Sequence, residues 1–344
     1  MKTTVDNKCP SCGANIKFDP TSQKWKCEYC GMSYNVDTFE EKQEKEKNEE
    51  LDVNIDEYSC PNCGAIVVTD ENTVATHCVY CGNTAIMKNR LQGEFKPDKL
   101  IPFATVKEDA INEFQKNVKK RWFAPPDFHN KENIEKITGV YIPFWLYDGK
   151  TSGNITATAK RERSWSSGNY RYTETSVYDC KRSGELEITD IPVDGSTKFE
   201  DDIMDSIEPF DYSKFVPFNR SYLSGFLAEK YDLTQDEVYE RAKTRMENTT
   251  INELRNTIIG YNSVFVNSSN VNVEKGEVEY ALLPVWMLNI KYKDKMYTFA
   301  MNGQTKQVVG KVPLCFSKML KKGLLFFGIG FLVAFIFNII RGMM

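Results

Sequence analysis

The chain has 344 residues, with 44 Lys or Arg against 48 Asp or Glu, so its net charge is −4. This length is enough for about two or three units that each have a hydrophobic core. Because Lys and Arg supply most of the affinity for nucleic-acid phosphates, the acidic balance disfavours a protein whose main work is to grip DNA or RNA.

Four Cys-x-x-Cys pairs open the chain as a tandem repeat. Each half separates its pairs by 14 residues, and each cysteine of the second half follows its counterpart by 51 positions. Two intervening residues let one tight turn present both sulfurs to one ion, and zinc takes four such ligands in a tetrahedron. A glycine follows every pair, where a missing Cβ lets the backbone fold under the metal. The predicted ligands are Cys9, Cys12, Cys27 and Cys30 for one structural Zn²⁺, and Cys60, Cys63, Cys78 and Cys81 for a second.

Disulfides and redox chemistry are the alternatives for these eight cysteines. The start of the chain has no apolar core of a secretory signal, and a cytosolic chain keeps its thiols reduced. A redox pair would stand beside a βαβ pattern, which the sequence lacks. Four thiolates leave no open coordination position, so both ions are predicted to hold structure rather than to catalyse. His77 is a further ligand candidate, although four cysteines already complete its site.

The cysteine repeats predict two zinc ribbons, residues 1–36 and 58–90, on either side of a charged linker. The linker, residues 37–57, has no apolar stripe and is either a solvated helix or a disordered tether. On such a tether the ribbons move independently, unless the second packs against the segment that follows it.

A helical segment is predicted for residues 91–139. Thr105 and Glu108 form a capping box at the start of a helix that runs from 105 to 122. Its apolar side carries Ile111, Phe114, Val118 and Trp122 at helical spacing. Its other side is basic, with Lys116, Lys119, Lys120 and Arg121. We interpret this side as a solvated face rather than as a nucleic-acid contact.

Two apolar runs with a proline two positions before a tryptophan predict two related β-units, residues 140–195 and 263–317. Pro143 and Pro284 are expected at strand starts or bulges, where no ladder donor is needed. An Asn302-Gly303 pair signals a hairpin in the second unit. The alternating segments that follow each proline favour antiparallel sheets.

A helical insertion, residues 196–262, is predicted between the β-units. Two capping boxes, Thr234 with Glu237 and Thr250 with Glu253, predict two successive helices. Antiparallel strands with segregated helices indicate an α+β fold, here with two ribbons in front and an apolar helix behind.

The last 27 residues, 318–344, are predicted to anchor the chain in a membrane. Residues 323–340 carry no charge and are close to the minimum length for crossing a bilayer. A buried core helix is the alternative, but this helix is apolar all round. Lys311, Lys318, Lys321 and Lys322 precede the span and only Arg341 follows it, so the positive-inside rule predicts a single-pass protein with its bulk in the cytoplasm.

The sequence offers little for an enzyme. It has no Gly-x-x-x-x-Gly-Lys-Ser/Thr loop, no Gly-x-Ser-x-Gly elbow and no His-Glu-x-x-His helix. His77 and His129 are the only histidines, and neither has a catalytic context. Cys180 and Cys315 are predicted to be ordinary free thiols. We therefore predict that the protein has no catalytic residues and is not an enzyme.

The motifs together resemble the bacterial membrane proteins described as TFIIB-type zinc ribbon-containing. The resemblance rests on the Cys-Pro-x-Cys-Gly pairs and on Leu100-Ile101-Pro102-Phe103, Lys120-Arg121-Trp122-Phe123-Ala124-Pro125, Gly139-Val140-Tyr141-Ile142-Pro143-Phe144-Trp145 and Tyr297-Thr298-Phe299-Ala300-Met301-Asn302-Gly303-Gln304-Thr305. Members often carry the label of primosomal replication-restart helicase. The family pattern has glycine where Lys306 stands. The resemblance implies a membrane-associated protein that works beside SPFH-type membrane scaffolds and the phage-shock envelope-stress system.

The functional hypothesis is a non-enzymatic adaptor whose zinc ribbons recruit or scaffold protein partners at the cytoplasmic face of the membrane. A membrane-tethered nucleic-acid binder is the alternative, in which Tyr29, Tyr34 and Tyr80 stack on bases.

Overall fold

The computed structural model describes residues 9–14, 16–35, 55–70, 78–81, 87–90, 97–223 and 225–343. Most of the predicted linker and His77 lie outside the described residues. The strands are β1 (Ile16–Asp19), β2 (Lys24–Cys27), β3 (Ser33–Tyr34), β4 (Ile55–Ser59), β5 (Ile66–Asp70), β6 (Met87–Arg90), β7 (Lys99–Leu100), β8 (Thr138–Ser167), β9 (Tyr170–Asp194), β10 (Val216–Pro217), β11 (Leu227–Glu229), β12 (Ser263–Tyr292), β13 (Lys295–Asn302) and β14 (Val308–Gly310). The helices are α1 (Lys107–Lys119), α2 (Lys131–Ile134), α3 (Asp201–Ser206), α4 (Tyr239–Asn256) and α5 (Phe316–Met343), with 3₁₀ helices at Pro126–His129, Tyr212–Lys214 and Arg220–Leu223.

The strands form two sheets, and the larger one is mixed. Strands β1–β3 make a small antiparallel sheet, while β10-β7-β12-β8-β11-β5-β4-β6 follow one another across the body, with β9, β13 and β14 at its branches. Most neighbours are antiparallel, but β7 runs parallel to β12 and β11 runs parallel to β8. The α+β class is confirmed, and the prediction of purely antiparallel sheets is wrong, because β7 and β11 are too short to leave a pattern in the sequence.

The two β-units are related and form one sheet. Ile142 of β8 faces Leu283 of β12, and the register around this pair is symmetric, with Pro143 opposite Leu282 and Pro284 opposite Tyr141. An approximate twofold axis therefore passes between Ile142 and Leu283. The same axis relates β7 beside β12 to β11 beside β8. The body is thus a strand–helix–strand–strand unit that occurs twice, as β7-α1-β8-β9 and as β11-α4-β12-β13.

Both prolines lie inside long strands, which corrects their predicted place at strand starts or bulges. Pro143 stands one residue before Phe144, where β9 begins to pair through Asp194. The Pro143 carbonyl accepts from the Gly195 N–H at 2.9 Å. Since N–H and C=O of one residue point the same way in an antiparallel strand, the missing N–H would face Gly195, whose carbonyl accepts instead from the N–H groups of Asp232 and Leu233 at 3.0 and 3.1 Å. Pro284 repeats this arrangement in the second unit.

Helix α1 is shorter than predicted and begins differently. It buries Ala110, Phe114 and Val118 and has no side-chain cap. The Thr105 hydroxyl is instead buried in the core, where it donates to the Gly303 carbonyl at 2.9 Å and accepts from the Trp286 indole at 2.8 Å. A hydroxyl with two core partners has none left for a helix end, so this predicted capping box is wrong. Trp122 lies beyond the helix and is 65% exposed, so it is not part of the buried side.

Helix α4 replaces the two helices predicted in the insertion. Thr250 lies within it, fully buried, and donates to the Met246 carbonyl one turn back at 2.8 Å. A threonine whose hydroxyl is satisfied in this way is compatible with a helix interior, so the second capping box is also wrong. Glu237 does accept from the Thr234 N–H at 2.7 Å, before the helix starts. The buried face of α4 covers the three-stranded arm β9-β8-β12, and a Cβ on Gly153 would lie 3.0 Å from Thr250.

The predicted Asn302-Gly303 hairpin is present, but its loop is longer than a two-residue turn. Strands β13 and β14 pair across five residues, and the Lys306 N–H donates to the Asn302 carbonyl at 3.1 Å. Lys306 has a φ of 64°, a left-handed conformation that glycine adopts without strain. The position where the resembled family has glycine is therefore one that favours glycine.

Helix α5 is long and apolar enough to cross a membrane. Its window Phe316–Ile336 has a mean hydropathy of 1.9, and none of it is buried against the body. The helix leaves the body beside the end of α1, where the Cys315 N–H donates to the Phe123 carbonyl at 2.8 Å. A soluble core helix would bury most of such a surface.

Candidate metal centres

The eight predicted ligands come together as two groups of four sulfurs. Cys9 faces Cys30 at 3.5 Å and Cys12 faces Cys27 at 3.6 Å; in the second group both facing pairs are 3.6 Å apart. Within each group all sulfurs lie within 4.8 Å of one another. Four sulfurs held about 2.3 Å from a central ion in a tetrahedron are about 3.8 Å apart. The distances fit a metal ion and are far too long for disulfides.

The turns that carry the sulfurs share one backbone geometry. The Gly13 N–H donates to the Cys9 carbonyl at 2.8 Å, and the Gly64 N–H donates to Cys60 at 2.9 Å. Both glycines have φ near 70°, which would strain a residue with a Cβ. The local turn therefore depends on glycine, as its position after each pair predicts.

Two thiols of the first group, Cys9 and Cys27, and one thiol of the second, Cys60, have a lowered pKa. Burial acts to raise the pKa of Cys9, but hydrogen bonds from the Tyr34 hydroxyl and from the backbone of Ser11 and Cys12 outweigh it and lower the pKa to about 6. Burial likewise opposes the backbone groups of Cys63 and Asn62, which together with the neighbouring thiols lower the pKa of Cys60 to about 7. The thiolate is the form that binds metal.

The first cysteine group lies on a ribbon that rests on the body through aromatic rings. Phe18 and Trp25 lie 4.9 Å and 5.2 Å from the Tyr222 ring. Its outer side is open: Cys12 and Cys30 are exposed, and Tyr29 and Met32 are 84% and 48% exposed. The turn Cys27–Cys30 of this group is therefore presented to the surroundings.

The second cysteine group is built into the body. Strand β5, which lies between its two cysteine pairs, joins the large sheet by pairing with β11. In the turn Cys78–Cys81, the Val79 carbonyl accepts from the Asn289 side chain at 2.5 Å. The Tyr80 ring lies 5.4 Å from Phe199. Of the two arrangements left open by the sequence, the second ribbon packs on the segments that follow it.

A buried carboxyl lies behind the second group. Glu229 of β11 is 2% exposed and accepts from the Ser196 hydroxyl at 2.7 Å. The Tyr80 hydroxyl is buried beside it, and burial together with the Glu229 carboxyl raises the pKa of Tyr80. Burial raises the pKa of Glu229 to about 8, against the hydrogen bond from Ser196. Sequence reasoning missed this site because a single glutamate in a three-residue strand carries no signal.

The Glu229→Gln variant is expected to be more stable than the parent above pH 8, by roughly 1–3 kcal/mol. The reason is that the parent must hold an ionised carboxylate in a buried site above this pH, whereas the amide of the variant stays neutral. The folded-state pKa of about 8 lies above the unfolded value of about 4.3, so the folded protein binds the extra proton and this contribution to stability declines between those pH values. Urea unfolding of the purified chain across this pH range measures the difference. The matched control is Glu185→Gln, on an exposed position of β9. Parallel pH profiles for parent and Glu229→Gln would contradict the assignment.

The three tyrosines of the nucleic-acid alternative differ in their exposure. The Tyr34 hydroxyl lies 3.2 Å from the Cys9 sulfur and 2.7 Å from the Ser11 hydroxyl, and the Tyr80 hydroxyl is enclosed, so both side chains pack within the protein. Tyr29 is the exposed member of the three. Cys180 and Cys315 are free thiols, as predicted.

A relative identifies the family. The uncharacterized protein YdjG of Bacillus subtilis (strain 168) is 36% identical to this chain over 315 residues, and the match covers 92% of each chain. The chain belongs to the YdjG family. The match therefore extends well beyond the cysteine groups. No family model matches the chain, and no solved structure matches it. The resemblance to TFIIB-type zinc ribbon-containing proteins stays a prediction.

Proposed function

We propose that this YdjG-family protein holds two structural zinc ions and is anchored in a membrane by a single span. Thiolates are soft ligands that zinc prefers, and four of them fill a tetrahedral site. The unburied apolar surface of α5 supports the span. Four lysines precede the uncharged stretch of α5 and one arginine follows it, which favours a cytoplasmic position for the ribbons and the body. Elemental analysis of the purified chain is expected to find two zinc ions per chain.

We further propose that the protein is a non-enzymatic adaptor that recruits a protein partner, with an SPFH-type membrane scaffold as the candidate. The observation that carries this proposal is the contrast between the two metal turns. The turn Cys78–Cys81 of the second group packs against the body. The turn Cys27–Cys30 of the first group presents Tyr29 and the nearby Met32 to solvent, and the metal ion would stiffen it. Exposed aromatic and methionine side chains on a rigid support are typical of the anchors of protein interfaces.

The double variant Tyr29→Ala/Met32→Ala is expected to lose its partner and keep both zinc ions, because neither side chain is a ligand. Truncation of interface anchors costs about 2 kcal/mol or more, so recovery of the partner should fall at least about tenfold. The measurement is quantitative mass spectrometry of proteins that co-purify with the full chain from solubilised membranes. Tyr170→Ala, at a 72% exposed position on the arm, is the matched control. Unchanged recovery with the double variant would refute this contact surface.

The nucleic-acid alternative now rests on Tyr29, the one predicted stacking tyrosine that is freely exposed. The affinity of the full chain for single- and double-stranded oligonucleotides at two salt concentrations separates the hypotheses. Binding with a steep salt dependence that Tyr29→Ala weakens would favour it. No binding at low salt would remove it.

A further inference from the structure

We propose that the body rests on the membrane through a basic surface at the base of α5, and that anionic phospholipid headgroups are the partner of this surface. The inference rests on the proposed membrane span and adds the orientation of the body on the bilayer. The juxtamembrane surface consists of Lys119, Lys120, Arg121, Trp122, Lys318 and Lys322.

Two segments that are distant in sequence build this surface. The end of α1 is fixed to the base of α5 by the bond from Cys315 to the Phe123 carbonyl, and the Lys318 ammonium donates to the Ala124 carbonyl at 2.6 Å. His129 lies beside both segments: burial lowers its pKa first, and the charges of Lys318 and Lys119 lower it further. The cations at the end of α1 and at the base of α5 therefore lie close together and form one positively charged surface.

Trp122 gives the surface an interfacial side chain. It is 65% exposed just beyond α1, and the Lys322 ammonium lies 4.4 Å from the centre of its ring. Tryptophan beside lysine is typical of the level at which hydrocarbon meets headgroups, because the indole has an apolar body and a polar N–H. The pair stands where the apolar part of α5 begins.

Within the part of the chain that the structure describes, the cations of the surface lack acidic partners. None of the five cationic groups of the juxtamembrane surface has a described carboxylate oxygen within 4.0 Å, the limit for an ion pair. The first turn of α5 has no acidic residue, and Lys318 lies in that turn, where the positive end of the helix dipole disfavours it. An external anion would relieve this repulsion. Each lysine or arginine near an anionic leaflet strengthens attachment about fivefold.

The test compares the full chain in nanodiscs of phosphatidylcholine and in nanodiscs that contain phosphatidylglycerol. Acrylamide quenching of Trp122, taken as the difference between the parent and Trp122→Phe, reports whether the surface is covered. With phosphatidylglycerol, we expect the ratio of shielded to exposed Trp122 to rise at least about fivefold, the factor for one cation. High salt should abolish the rise, because it screens exposed charges.

Charge variants assign the effect to this surface. The triple variant Lys119→Gln/Lys120→Gln/Lys322→Gln is expected to lose the dependence on phosphatidylglycerol. The matched control removes three exposed cations of the arm instead: Arg163→Gln/Arg171→Gln/Lys181→Gln. Equal shielding in both lipids, or lipid dependence that persists in the triple variant, would overturn the proposal. A chain that does not co-elute with nanodiscs would overturn the span itself, and co-elution is scored separately.

Discussion

Replacing Cys60 by serine is expected to unfold much of the body, whereas Cys9→Ser is expected to release only the first ribbon. The reason is that β5 of the second ribbon pairs Val68 with Ala228 of β11, and β11 pairs in turn with the central strand β8. Structural zinc contributes on the order of 10 kcal/mol to folding. A site with three thiolates that no longer holds its ion loses this contribution, so we expect a loss of about 5 kcal/mol or more, which is comparable to the whole stability of a domain.

Thermal unfolding and elemental analysis of the two variants test this difference. Both should lose one zinc ion, but only Cys60→Ser should lower the melting temperature of the body strongly, since the first ribbon belongs to a separate sheet. Cys180→Ser is the control, because Cys180 is a half-buried thiol outside both groups. Equal melting temperatures for Cys9→Ser and Cys60→Ser would show that the second ribbon does not support the sheet.

The Asn302→Asp variant is expected to lose about 3–5 kcal/mol of stability, although the two side chains have the same shape. The Asn302 amide is fully buried and donates to the carbonyls of Ile207 and Pro209 at 3.0 and 3.1 Å. Its oxygen accepts from the backbone N–H groups of Gln304 and Thr305 at 2.8 and 3.0 Å. Both donors and both acceptor positions are used. An aspartate would turn carboxylate oxygens toward two carbonyl oxygens in a buried site.

Urea unfolding at two pH values measures this loss. The deficit should shrink in acid, because a protonated aspartic acid regains one donor. Asn270→Asp, on an exposed position of β12, is the matched control and should change stability by less than about 0.5 kcal/mol. A variant as stable as the parent would mean that the hairpin does not depend on this amide.

The hydroxyl groups show where sequence reasoning reached its limit. Thr105 and Thr250 each stand three residues before a glutamate, which is the pattern of a capping box. The structure gives these hydroxyls other partners, the Trp286 indole and the Met246 carbonyl. The capping-box pattern indicates only which hydrogen bonds a side chain can form with its neighbours in sequence. Packing against a distant strand decides which hydrogen bonds the hydroxyl forms in the folded protein.

The sequence by itself determined the two groups of four cysteines, the glycine turns beneath them and the apolar helix at the end, because each is specified within a short stretch of chain. Tertiary structure alone decided that the second ribbon joins the body's sheet, that Tyr80 is enclosed beside Glu229, and that the basic end of α1 meets the base of α5. These arrangements depend on contacts between segments 100 or more residues apart. Local propensity cannot specify such contacts, since the free energy that selects them comes from burying apolar surface and satisfying polar groups in the assembled core.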